Sequence, residues 1–170
     1  MKIQQFYFLV LSVSFLFFSC TPDPVEGCTD ELACNYDADA EEDDGSCQIP
    51  LENPIYIVSY DANVSGLVEE EIISYVYIRN ASCESIEIDA TQSGAGVHPT
   101  IAKAKFCLGD ICYDYLDNDA DVLLSLNSFD EGYFFEGYLK AQQPGIYTVT
   151  YNLFTDTHTT TISVEFTVTL

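Results

Sequence analysis

Apolar and polar residues alternate along the chain from Pro54 to its last residue. The clearest case is the final stretch. Ile162, Val164, Phe166, Val168 and Leu170 share one face, and Thr161, Ser163, Glu165, Thr167 and Thr169 share the other. A period of two is the signature of a half-buried β-strand. The same reading places strands over 55–60, 72–79, 85–90, 101–108, 111–116, 122–129, 132–140 and 146–154. Between them lie an acidic turn at Glu69-Glu70-Glu71, a flexible loop at Gln92-Ser93-Gly94-Ala95-Gly96, a hairpin turn at Gly109-Asp110 and a break at Pro144-Gly145. No stretch sustains a helical period. Short strands in series, with turn signals at regular intervals, predict an all-β chain folded as an antiparallel β-sandwich over 54–170.

The N-terminal end follows a different pattern. Lys2 precedes an apolar run from Phe6 to Phe18, broken only by Ser12 and Ser14. That length fits the core of an export signal and is short for a membrane span. The run ends at Phe17-Phe18-Ser19-Cys20. A small residue followed by Cys resembles the lipobox cut by lipoprotein signal peptidase, although the two Phe depart from the usual pattern. The resemblance implies a signal peptide over 1–19 and a lipidated Cys20. Residues 20–26 then form a stiff, Pro-containing acidic tether. Acids placed soon after the lipidated Cys resemble the surface-export signals of Bacteroidota-type lipoproteins. That implies a cell-envelope location, anchored by lipid to the outer membrane.

Charge narrows the partners. The 170 residues carry 28 Asp plus Glu against 5 Lys plus Arg, a net charge of −23. Such a polyanion repels nucleic acid, which is excluded as a partner. Apolar residues make up 48 %, enough for a buried core, and the aromatics are Tyr and Phe with no Trp. The seven Cys point to disulfides in an oxidising compartment. Lipidation of Cys20 leaves six.

Residues 27–48 hold three of these cysteines and six acids in a row of eight: Asp37, Asp39, Glu41, Glu42, Asp43 and Asp44. The segment has no apolar period, so its order depends on a staple. A Cys28–Cys47 bridge would contribute about 3 kcal/mol in the chain-entropy model. Cys28-Thr29-Asp30, Ala33-Cys34-Asn35-Tyr36 and Asp43-Asp44-Gly45-Ser46-Cys47 resemble an acidic cysteine module that recurs in exported proteins of Bacteroidota-type bacteria. Calcium is a candidate ligand of this loop, through Asp37, Asp39, Asp43 and Asp44. The EF-hand spacing fails, however. Glu42 stands where the sharp turn needs Gly, and Gln48 where a bidentate Glu belongs.

Two features of the strand region carry a further resemblance. Gly145-Ile146-Tyr147-Thr148-Val149-Thr150-Tyr151 looks like strand F of an immunoglobulin-like domain, with Tyr147 as its tyrosine corner and Val149 where antibody domains place a Cys. Phe106-Cys107-Leu108-Gly109-Asp110-Ile111-Cys112-Tyr113 resembles a hairpin of small Ig-like domains in Bacteroidota exported proteins. Cys107 and Cys112 face each other closely enough across the turn to bridge. If both local bridges form, Cys34 and Cys83 are left to pin the module onto the sandwich. The connectivity is open at this point.

Catalytic signatures are few. His98 and His158 stand in loops without metal-ligand neighbours, and no nucleophile elbow, phosphate loop or dinucleotide fingerprint occurs. Tyr113, Tyr115, Tyr133 and Tyr138 lie on strands next to acids. They serve either cross-strand pairing or a binding face. Three functions are compatible with these residues. The first is a non-enzymatic, lipid-anchored scaffold or adhesion module. The second is a glycan- or peptide-binding accessory lipoprotein of an outer-membrane uptake system. The third is a small carboxylate-based hydrolase.

Overall fold

The computed structural model describes residues 23–95, 97–98, 100–109, 111–114, 124–130 and 132–170. The expected signal peptide and Cys20 lie outside them. Every regular element among the described residues is a strand: β1 (Glu26–Gly27), β2 (Glu42–Asp43), β3 (Ile55–Tyr60), β4 (Asn63–Leu67), β5 (Glu71–Asn80), β6 (Ile86–Ala95), β7 (Ala102–Leu108), β8 (Ile111–Asp114), β9 (Leu124–Leu126), β10 (Tyr133–Ala141), β11 (Gly145–Phe154) and β12 (Thr159–Thr169). Among these residues no helix is long and apolar enough to cross a membrane.

Two five-stranded sheets build an Ig-like sandwich. The first sheet runs β3-β5-β10-β7-β8 and the second β4-β12-β11-β6-β9. The pairings are antiparallel except β4 with β12, which is parallel. The short strand β4 was not expected from the sequence. Asn63-Val64-Ser65-Gly66-Leu67 turns only Val64 and Gly66 inward, so its pattern carries almost no apolar signal. Of the loop expected at 92–96, residues 92–95 instead belong to the second half of β6, whose Gln92, Ser93 and Gly94 pair with Tyr151, Thr150 and Val149; Gly96 lies outside the described residues. The strand expected over 122–129 is regular only over Leu124–Leu126 among the described residues.

The core lies between the sheets. Ile72, Val76 and Ile78 of β5, Phe106 of β7, Phe135 and Leu139 of β10, Val149, Tyr151 and Leu153 of β11, and Ile162, Val164, Phe166 and Val168 of β12 are all buried there. The inward set of β12 is the one its alternation predicts, up to Val168. Leu170 lies past the strand end and is 94 % exposed. The Tyr147 hydroxyl donates to the Gln143 carbonyl at 2.9 Å, closing the tyrosine corner.

The acidic module is a small lobe held on by sulfur and backbone bonds. Glu26 and Gly27 pair with Glu42 and Asp43, and the Val25 carbonyl accepts from Glu41 N–H at 2.7 Å, so the end of the expected tether joins the module. Bridges link Cys28 to Cys47 and Cys34 to Cys83, the second tying the module to the turn after β5. The third bridge joins Cys107 and Cys112, which stand opposite each other on β7 and β8. These are the three pairings weighed from the sequence. They suit an oxidising compartment.

Candidate ligand-binding face

Three acids of the acidic run serve their own backbone. Asp37 Oδ1 accepts from Asp39 N–H at 2.9 Å, Asp43 Oδ1 from Gly45 N–H at 3.0 Å, and Asp44 Oδ1 from Ser46 N–H at 2.8 Å. These are Asx turns, local structures that a carboxylate closes on itself. The hydrogen bonds from Ser46 hold the Asp44 carboxyl below the usual range. Gly45 takes a φ of 77°, the turn geometry that glycine permits. Among the described residues no group of three or more His, Cys, Asp or Glu side chains is arranged to hold a metal ion. Asp37, Asp39, Asp43 and Asp44 are therefore not gathered into a calcium donor set.

Both histidines sit in turns, as their neighbours suggest. His98 Nδ1 lies 2.9 Å from Thr100 Oγ1, and His158 Nδ1 lies 2.8 Å from Thr157 Oγ1. Neither forms part of a cluster.

The outer face of the first sheet is different. Alternation on β5 turns Ile73, Tyr75, Tyr77 and Arg79 outward, opposite the buried Ile72, Ser74, Val76 and Ile78. Register sets Tyr56 of β3 beside Arg79, and Glu136 and Tyr138 of β10 beside Tyr75 and Ile73. It also sets Lys105 of β7 beside Tyr138, and Lys103 beside Lys140. Four of the five cations in the chain thus occupy one sheet face, the fifth being Lys2. Tyr56, Tyr75 and Tyr77 are 36–41 % exposed, their rings lying partly against the sheet.

These groups are organised by contacts with one another. The Lys105 ammonium lies 4.4 Å from the Tyr138 ring centre and 3.0 Å from Glu71 Oε2. Lys140 pairs with Glu69 at 3.6 Å. The Tyr138 hydroxyl donates to Glu136, and that bond, with burial, pushes its pKa up to about 12. Arg79 stands over the Tyr56 ring at 5.0 Å. With glutamates interspersed, the stripe is close to neutral in a molecule of net charge −23. From Glu71 to Arg79 it runs about 27 Å at the usual rise of a strand.

Of the four tyrosines singled out by sequence, Tyr138 belongs to this face. Tyr113 does not: its ring stacks on the buried Phe106 at a centroid distance of 5.3 Å, against the core. Tyr115 lies outside the described residues, as does the Tyr133 side chain. Sequence reading missed Tyr56, Tyr75, Tyr77 and Arg79. The signal was present in the spacing Tyr75, Tyr77, Arg79, every second residue of one strand.

The second sheet turns a hydroxyl-rich face outward. Thr150 lies 3.0 Å from Ser163, and Thr161 donates to Asn152 at 2.9 Å across the β11–β12 pair. No Lys or Arg stands on these strands.

No family model matches the chain, and no curated protein matches it. Some solved structures resemble it. The N-terminal domain of PorA is 11 % identical with a TM-score of 0.49, over 69 % of this chain and 90 % of that one. A conjugative transposon lipoprotein from Bacteroides eggerthii is 9 % identical with a TM-score of 0.45, over 66 % and 93 %. A family 123 glycoside hydrolase from Clostridium perfringens is 13 % identical with a TM-score of 0.45, and this chain spans 22 % of its length. At such values nothing about function follows from the likeness.

Proposed function

We propose that this chain is a lipid-anchored, non-catalytic cell-envelope protein that works by binding through the outer face of its first sheet. The observation that carries the reading is the gathering of Arg79, Lys103, Lys105 and Lys140 with Tyr56, Tyr75, Tyr77 and Tyr138 on that one face. Tyr offers contact area at little entropic cost, and cations already held by carboxylates or rings are pre-ordered donors. The near-neutral stripe is also where a partner meets least repulsion from the polyanion. A scaffold or adhesion role needs one such face. A glycan- or peptide-binding accessory role in outer-membrane uptake uses the same face, and the open length of the stripe suits an extended ligand. The anchor is Cys20, at the end of the apolar run.

The test is site-specific photocrosslinking in intact cells. A photoreactive phenylalanine analogue replaces Tyr75 on the proposed face, or Ser163 on the hydroxyl face. Adducts are expected from position 75 and not from 163. Adducts from 163 alone, or from neither, would overturn the reading.

A further inference from the structure

At the Arg79 end, the tyrosine stripe runs into a groove of about 400 Å³ between module and sandwich, lined by Cys47, Gln48, Ile49, Arg79 and Phe129. Both walls are fixed. On the module side, Gln48 N–H donates to Asn35 Oδ1 at 2.7 Å and Gln48 C=O accepts from Cys34 N–H at 2.9 Å, between two disulfides. On the sandwich side, the buried Asn80 amide donates to the carbonyls of Leu126 and Asn127 at 3.2 and 3.1 Å. The Ser128 hydroxyl donates to the Ser82 carbonyl at 2.8 Å. The same loop holds Phe129 at a φ of 49°, a left-handed conformation that costs a bulky residue energy and recurs at ligand sites.

Arg79 is the one arginine of the chain, among 28 acidic residues. Among the described residues no carboxylate pairs with it: the two ion pairs both go to lysines. Its guanidinium stands 5.0 Å from the Tyr56 ring centre and 5.7 Å from that of Phe129. Its Nε is buried without a hydrogen-bond partner among the described residues. Rings that fix a guanidinium leave its N–H edge for a planar oxyanion, which it binds in two-pronged fashion. The remaining wall is apolar at Ile49 and Phe129 and offers an amide at Gln48.

We infer that this groove binds the C-terminal end of a peptide with an apolar last residue. The terminal carboxylate meets Arg79, the last side chain lies against Ile49 and Phe129, and the last peptide group meets the Gln48 amide. The surrounding charge selects for a single carboxylate. At physiological salt, screening over about 8 Å spares one local pair but not a polyanion. A sugar acid carries the same carboxylate but no side chain for the apolar wall. The inference rests on the reading of the outer face as the contact surface.

The test uses fluorescein-labelled Gly-Ser-Gly-Ser-Gly-Xaa peptides, one for each residue type at Xaa, as free acids and as C-terminal amides. Anisotropy is read on the wild-type protein, Arg79→Lys and Arg79→Gln. Free acids ending in Leu, Ile, Val or Phe are expected to bind at least tenfold tighter than their amides. Arg79→Lys, which keeps the charge but loses the fork, should lose most of that preference, with an unchanged melting temperature as the check on folding. Three results would each overturn the inference: acids and amides that bind alike across the set, trigalacturonate that displaces the peptides at lower concentration than they bind, or undiminished preference in Arg79→Gln. Failure here with adducts still forming from position 75 leaves the contact face standing. Peptide binding without such adducts removes the face and keeps the groove.

Discussion

Among single residues, Tyr151 is a large buried side chain whose polar atom is not compensated. Its ring is fully buried, edge-on to Phe135 at 4.7 Å and to Phe106 at 6.3 Å. Among the described residues its hydroxyl has no hydrogen-bond partner. The room for that hydroxyl comes from Gly137 on the facing sheet, where an added Cβ would lie 2.3 Å from Tyr151 Oη. A buried hydroxyl without a partner carries its desolvation cost unrelieved. Tyr151→Phe is therefore expected to leave stability unchanged or raise it, by up to about 1 kcal/mol, in urea unfolding. Gly137→Ala should cost about 1–3 kcal/mol through overpacking. The double variant should recover most of that loss, because the clashing oxygen is gone. A double variant no better than Gly137→Ala alone would mean that the glycine is needed for something other than space. Burial also pushes the Tyr151 pKa up. The unfolded chain then loses this proton first as pH rises. The tyrosine's contribution is complete below pH ~10 and declines above it, and Tyr151→Phe removes that alkaline decline.

At the scale of elements, the strands read correctly were those whose two faces differ in polarity. β11 and β12 alternate almost without fault, and their buried sets follow. The far half of β6 has hydroxyls and amides where an apolar face was sought, so it read as a loop. It is a strand because β11 supplies its ladder, from Thr148 paired with Ala95 to Phe154 paired with Asp89. On β5 the difficulty was the opposite. Ile72, Val76 and Ile78 alternate with Ile73, Tyr75 and Tyr77, so both faces look apolar and alternation separates them without saying which is buried. The Arg79 groove was less legible still. It depends on a bridge between Cys34 and Cys83, 49 residues apart, that sets the module beside Phe129. That bridge should also matter most to stability. In the chain-entropy model, loops closed over 5, 19 and 49 residues contribute about 2, 3 and 4 kcal/mol. Paired Cys→Ala replacements are thus expected to lower the urea midpoint least for Cys107/Cys112, more for Cys28/Cys47 and most for Cys34/Cys83. The reverse order would show that local packing at the hairpin, rather than loop closure, dominates.

The whole molecule is a polyanion that we place at a membrane, and these two properties oppose each other. Anionic head groups repel a body of net charge −23. The described residues offer no helix able to span a bilayer, and the four cations of the sandwich stand among glutamates that leave their face close to neutral. In the reading proposed above, residence at the membrane comes from a lipid on Cys20. Six of the seven cysteines are taken up in three bridges, and Cys20 is the seventh. Each buried CH₂ of an acyl chain contributes about 0.8 kcal/mol, so two or more chains outweigh a repulsion that salt already screens. Cells fed an alkynyl fatty acid are expected to label the wild-type protein and not Cys20→Ala. High-salt washing should leave the wild type in the membrane fraction, because its attachment is apolar rather than ionic. The variant, if exported, should appear in the soluble fraction at any salt concentration. Label retained on Cys20→Ala, or a variant that still sediments with membranes after the wash, would show that something other than this thiol holds the protein there.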